Sequence, residues 1–212
     1  MKELILASRS PRRRELLQKC GIPFTADAAD LDETINPGNP LQEEIQALSF
    51  RKAEAVLKRH PDAIVIGSDT IVTIHGEVLG KPHDHEDAKR MLRELSGTTH
   101  EVITGLCILS DRRNYQTVTV NQVSFFPLSE EEISSYVESG EADDKAGAYG
   151  IQGLAARYVK SIEGDFYSIM GLPVSLVYEG NYSPIDSSNL HQGDYFPAYL
   201  GNMQKVFHIF SE

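Results

Sequence analysis

A chain of 212 residues, 41% hydrophobic and 24% charged, has the composition of an ordinary globular protein and is long enough for one good core but hardly for two. Its net charge of −11 repels nucleic acid and anionic membranes unless a strong local basic patch intervenes, and no apolar run approaches the roughly 20 residues that span a bilayer. Cys20 and Cys107 sit in apolar surroundings without Cys-x-x-Cys spacing or a histidine cluster, and read as buried thiols.

Met1 to Ala7 reads as a first strand and lacks the long apolar segment of a signal peptide, which points to a soluble, cytoplasmic protein. Ser8-Arg9-Ser10-Pro11-Arg12-Arg13-Arg14 then opens a helix, with Ser10 placed as N-cap and Pro11 in the first turn. Arginine there opposes the helix dipole by about 0.3 to 1 kcal/mol per charge. A docked anion reverses that penalty, and backbone N–H groups, hydroxyls and guanidinium forks together make a phosphate site without a Walker lysine. A solvated basic turn behind an ordinary serine cap is the alternative.

Phe24 to Asn39 has the pattern of a strand followed by an acid-rich loop containing Asp27, Asp30, Asp32 and Glu33. Such loops are usually solvated, although one carboxylate can serve a hard divalent cation. Leu41 to Arg59 fits a helix with Arg51 and Lys52 at its centre, ended by His60-Pro61-Asp62.

The central stretch follows. Ile64-Val65-Ile66 and Ile71-Val72-Thr73-Ile74 are β-branched runs with Gly67-Ser68-Asp69-Thr70 between them. A carboxylate so flanked costs several kcal/mol to bury as an ion, so Asp69 needs a partner. His75-Gly76-Glu77 reads as a hairpin turn that brings Val78 to Lys81 back beside that strand and Lys81 near Asp69. A local cap by Asp69 with a solvated Lys81 fits the same residues.

Asp84 to Leu95 is a second helix stopped by Ser96-Gly97, and His100 to Leu109 with Tyr115 to Phe126 makes an antiparallel hairpin. Ser129 caps a helix with Glu130, Glu131 and Glu132 in its first turn. In Asp143 to Gly153, glycines and alanines around Lys145, Tyr149 and Gln152 let backbone approach a ligand closely, or simply form a tight turn. Val159 to Ile162 and Tyr167 to Pro173 read as a last strand pair.

Three motifs now stand in order: Ser8-Arg9-Ser10-Pro11-Arg12-Arg13; Gly67-Ser68-Asp69-Thr70 with Gly80-Lys81-Pro82; and Asp144-Lys145-Ala146-Gly147-Ala148-Tyr149-Gly150-Ile151-Gln152-Gly153. Together they resemble the Maf family of nucleoside triphosphate pyrophosphatases, over about residues 3 to 178. The resemblance implies an α/β fold of the inosine-triphosphate-pyrophosphatase type, an elongated mixed sheet with flanking helices and two lobes around a central cleft. It implies hydrolysis of the α–β phosphoanhydride of a nucleoside triphosphate, assisted by Mg²⁺ or Mn²⁺, in a family that often forms homodimers. A nucleotide-binding regulator of cell division with little turnover is the competing implication.

Carried onto this chain, the resemblance makes Asp69 the proton acceptor with Lys81 as its catalytic companion, and links Arg12, Thr70 and Gln152 to base selectivity of the dTTP and UTP branch. Arg13, Lys52 and Lys145 complete the positive set, and Ser8 and Ser10 are neutral donors; a triphosphate with about four negative charges needs such a set. Glu33 is matched to metal or water binding beside Asp69. Gln152 can offer both donor and acceptor to a pyrimidine imide edge. Residues 1–179 form the family domain. Two departures stand out: Asn121, where many members place threonine, and an atypical tail over 180–212 in place of the usual closing helix.

Overall fold

The computed structural model describes residues 2–36 and 38–182. Its strands are β1 (Leu4–Leu6), β2 (Thr25–Ala26), β3 (Ile64–Ile74), β4 (Glu77–Leu79), β5 (Thr99–Leu109), β6 (Asn114–Phe125) and β7 (Val159–Glu163). They form one mixed sheet in the order β2-β1-β3-β5-β6-β7, with β4 hairpinned onto β3. The helices are α1 (Pro11–Lys19), α2 (Leu41–Leu57), α3 (His85–Leu95), α4 (Glu130–Glu138), α5 (Phe166–Met170) and α6 (Val174–Tyr182). None of the helices among the described residues is long and apolar enough to cross a membrane.

Successive strand side chains point to opposite faces, and two apolar layers follow. Leu4, Leu6, Ile66, Val72, Leu106 and Ile108 join side chains from α1, α3, α4, α5 and α6 in the larger cluster. Ile5, Val65 and Cys107 pack with Ala53 and Val56 of α2, while Ile71 and Ile103 pack with its Ile45. So α2 covers the second face. It lies unusually close: a Cβ on Gly67 would fall 2.2 Å from the Ser49 carbonyl oxygen, and one on Gly105 would fall 2.7 Å from that of Ile45. Gly105 stands opposite Asp69 on the neighbouring strand. Two glycines are therefore what lets the centre of α2 reach the middle of the sheet.

The sheet has a notch. β1 follows β3 only to Leu6 opposite Ile66, where Ala7 N–H donates to the Ile66 carbonyl, and β4 joins the same edge only at Leu79 opposite Val72. Between them Gly67 to Ile71 face no strand on that side among the described residues. Backbone groups alternate in direction along a strand. Phe125 N–H donates to the Thr98 carbonyl, which turns the even residues of β5 toward β6 and the odd ones toward β3. The N–H and C=O groups of Ser68 and Thr70 are thus aimed into the notch, while the side chains of Asp69 and Thr70 stand on opposite faces beside it.

Three sequence expectations change. Gly67 to Thr70 does not interrupt two strands but lies inside one 11-residue strand. Tyr167 to Met170 is helical: Asp165 accepts hydrogen bonds from Tyr167 N and Ser168 N, and Gly171 ends the turn at φ 115°, so capping overrides the strand propensity of the side chains. The missing closing helix is present as α6, with Val177 buried in the core and its N–H bonded to the Pro173 carbonyl. The rest of the tail, 183–212, lies outside the described residues. Asn121 serves the fold: it is buried, and its Oδ1 accepts from Asp165 N at 2.8 Å, fixing the turn that starts α5.

Candidate active site

The notch opens into a cleft of about 400 Å³, lined by Ser8, Ser10, Arg12, Arg13, Glu33, Lys52, Asp69, Thr70, Lys81, Lys145 and Gln152 among others. Every candidate residue from the sequence is therefore in one hollow. The basic side chains on its wall are Arg9, Arg12, Arg13, Lys52, Lys81 and Lys145, against Asp30, Glu33, Asp69 and Asp144. A chain of net charge −11 has thus concentrated a positive excess in one place, which favours a polyanionic ligand.

The partner of Asp69 is Lys52 and not Lys81. Lys52 Nζ lies 2.5 Å from Asp69 Oδ1 and 3.0 Å from Glu33 Oε2, with its side chain only 7% exposed. The close seating of α2 on Gly67 and Gly105 delivers this ammonium to the sheet. Lys81 is exposed on the same cleft. It is tied there by Gly147 N–H, which donates to the Gly80 carbonyl and brings the glycine-rich segment against the end of β4.

Arg13 departs further from expectation. Read as one of the cations for the substrate, it lies on the cleft wall but is buried, donating from Nε to the Gly171 carbonyl (2.7 Å), from Nη1 to Ser8 Oγ (3.2 Å) and from Nη2 to Thr70 Oγ1 (3.1 Å). Burial lowers its pKa from the ordinary guanidinium value, and the Asp69 charge works the other way. Ser10 stands at the N-cap position but its side chain makes no cap bond; its N–H donates to Ser8 Oγ. Ser8 Oγ thus accepts two hydrogen bonds and keeps its own proton for a cleft ligand.

Arg12 and Lys145 share a buttress that sequence reasoning misses, although it stands in the third motif. Asp144 Oδ1 is 3.9 Å from Arg12 Nη1 and 2.6 Å from Lys145 Nζ. Burial would raise the Asp144 pKa, but the hydrogen bond and charge of Lys145, with the charge of Arg12, outweigh it and hold the carboxyl below its ordinary value. Lys145 also donates to the Glu141 carbonyl at 2.6 Å. Tyr149 contributes a buried ring to the wall; its hydroxyl lies 2.8 Å from His100 Nε2, and both rings meet Phe125 edge to face. Gln152 is exposed at the mouth.

Glu33 and Asp69 converge on one ammonium and so lie within reach of a single cation. Among the described residues no group of three or more His, Cys, Asp or Glu gathers at metal distance. Two carboxylates suit Mg²⁺ or Mn²⁺ if a ligand's phosphate oxygens and water fill the other positions. The donor set fits such an ion.

A family model described as Maf-like protein matches residues 3–180. The dTTP/UTP pyrophosphatase of Bacillus velezensis is 52% identical over 174 residues, 82% of this chain and 92% of that protein. Those of Symbiobacterium thermophilum (49% over 174 residues, 82% and 90%) and Bacillus cereus strain G9842 (46% over 187 residues, 88% and 98%) are similarly related.

Proposed function

The chain belongs to the Maf-like family, and from that premise we propose that it hydrolyses dTTP and UTP to the nucleoside monophosphate and pyrophosphate. The observation that carries the reading is the meeting of Asp69, held by Lys52, with a ring of cations in one cleft. A triphosphate supplies about four negative charges, and Arg12, Lys81 and Lys145 with the Ser8 hydroxyl are placed to receive them.

In this reading Asp69 orients a water in line with the α-phosphorus and takes its proton as the new P–O bond forms, while the bond from that phosphorus to the α–β bridging oxygen breaks and pyrophosphate departs with the bridging oxygen. Lys52 holds the Asp69 carboxylate aimed, and Lys81 and Lys145 offset charge on the leaving group. Glu33 and Asp69 would hold Mg²⁺ or Mn²⁺, which when bound supplies Lewis-acid polarisation of phosphate oxygens and water. Acidic net charge and the family resemblance support a cytoplasmic enzyme that acts as a homodimer on a free nucleotide, with neither nucleic acid nor membrane as partner.

The test is product identity with dTTP, UTP, CTP and 7-methyl-GTP in Mg²⁺. UMP and pyrophosphate from UTP in equal amounts are expected. UDP and inorganic phosphate, or tight nucleotide binding with no product over hours, would overturn the reading, the second outcome favouring a nucleotide-sensing regulator.

A further inference from the structure

Thr104 is a buried residue of β5 to which the cleft chemistry assigns no role, and its hydroxyl has a forced direction. Thr104 Oγ1 lies 2.8 Å from the Ser168 carbonyl oxygen and 3.0 Å from Thr70 Oγ1. Thr104 is wholly buried and Ser168 wholly buried, so no solvent intervenes to separate these oxygens. Two oxygens this close repel unless a proton lies between them. A carbonyl cannot donate, so the single Thr104 proton goes to Ser168. The proton between the two threonines must then belong to Thr70.

Thr70 Oγ1 also accepts from Arg13 Nη2 at 3.1 Å. Its proton and one lone pair are therefore spent inside the protein. What remains at the cleft is one lone pair, able only to accept. Ser8, on the other Nη of Arg13, is left the opposite way, with a proton to give. Phosphate oxygens are acceptors, so Ser8 suits them and Thr70 does not. This deepens the pyrimidine reading and rests on it: a uridine or thymidine triphosphate offers Thr70 a ring imide N3–H or a sugar hydroxyl. Cytidine triphosphate has the same sugar hydroxyl but a bare N3.

We propose that Thr104 is a positioning residue for base selection: by taking the Thr70 proton it makes Thr70 an acceptor for the imide N3–H of uracil or thymine and sets a lone pair against the bare N3 of cytosine.

The experiment compares kcat/KM for UTP and CTP in the parent protein, Thr104→Val and Thr104→Ser, and adds 3-methyl-UTP with the parent alone. Valine keeps the shape and removes the acceptor, so the Thr70 hydroxyl is free to turn and donate. The UTP-to-CTP ratio is expected to fall about tenfold in Thr104→Val and to return in Thr104→Ser, and 3-methyl-UTP to be at least about tenfold poorer than UTP. An unmoved ratio in a Thr104→Val protein that still turns over UTP overturns the proposal. So does equal use of UTP and 3-methyl-UTP by the parent, a result that needs no variant to fold. Failure of the parent to hydrolyse UTP at all would instead sink the functional reading beneath it.

Discussion

Lys52 and Asp69 are joined across the interface of α2 and the sheet, 2.5 Å apart, with Glu33 taking a second contact on the same ammonium. One cation thereby compensates two acids at the base of the cleft. Lys52→Met keeps most of the length of the side chain and removes the charge. Activity on UTP is expected to fall about a hundredfold, and unfolding free energy by about 2 kcal/mol, because the half-buried Asp69 carboxylate loses its counter-charge. Steady-state kinetics and urea denaturation check the two effects separately.

The seating of α2 depends on the missing side chain at Gly67. Gly67→Ala places a methyl group 2.2 Å from the Ser49 carbonyl oxygen and 2.9 Å from Ala53 N, both backbone atoms that cannot swing away. The helix must shift outward and carry Lys52 with it. A loss of about 2 to 3 kcal/mol in urea midpoint analysis is expected, with a fall in kcat out of proportion to any change in KM.

Arg13→Lys tests whether that residue is a phosphate ligand or a brace. A lysine keeps the charge but cannot hold the Gly171 carbonyl, Ser8 Oγ and Thr70 Oγ1 at once, since they are spread over three nitrogens of a planar fork. KM for UTP is expected to rise about tenfold and the protein to lose about 1 to 2 kcal/mol. A purely electrostatic role would leave both nearly unchanged.

His100 makes stability depend on acid. Burial lowers its pKa from 6.5 to about 4, and its Nδ1 has no hydrogen-bond partner among the described residues. Between those values the unfolded chain binds a proton that the folded one refuses, so stability is full above pH 6.5, declines as pH falls toward 4, and levels off below. The decline from this group is roughly 3 kcal/mol. In His100→Phe, which fits the same edge-to-face cluster, the difference in unfolding free energy between pH 7 and pH 5 should shrink.

Much of this arrangement is legible in the sequence, for physical reasons that differ by residue. The strands and helices announce themselves by alternation and by caps such as Ser129, which caps α4 as read and in the structure also forms a capping box with Glu132. The meeting of the arginine turn, Asp69 and the glycine-rich segment is legible because three motifs share an order. What local pattern cannot carry is pairing at a distance. The hairpin made Lys81 the expected neighbour of Asp69, while Lys52 arrives only because Gly67 and Gly105 lie under α2, a relation between strand and helix that no spacing encodes. Arg13 turned inward for the same reason: its partners are 5, 57 and 158 residues away. Tyr167 to Pro173 read as a strand, and a single capping aspartate made Phe166 to Met170 helical instead.

The proton-accepting role of Asp69 is tested most directly by pyrophosphate release from UTP in Mg²⁺, measured for Asp69→Asn beside the parent. Asparagine preserves shape and hydrogen bonding to Lys52 but cannot take a proton from water, so the expected result is a loss of about a thousandfold in kcat with the folded structure retained. A variant that releases pyrophosphate at the parent's rate would contradict the assignment outright.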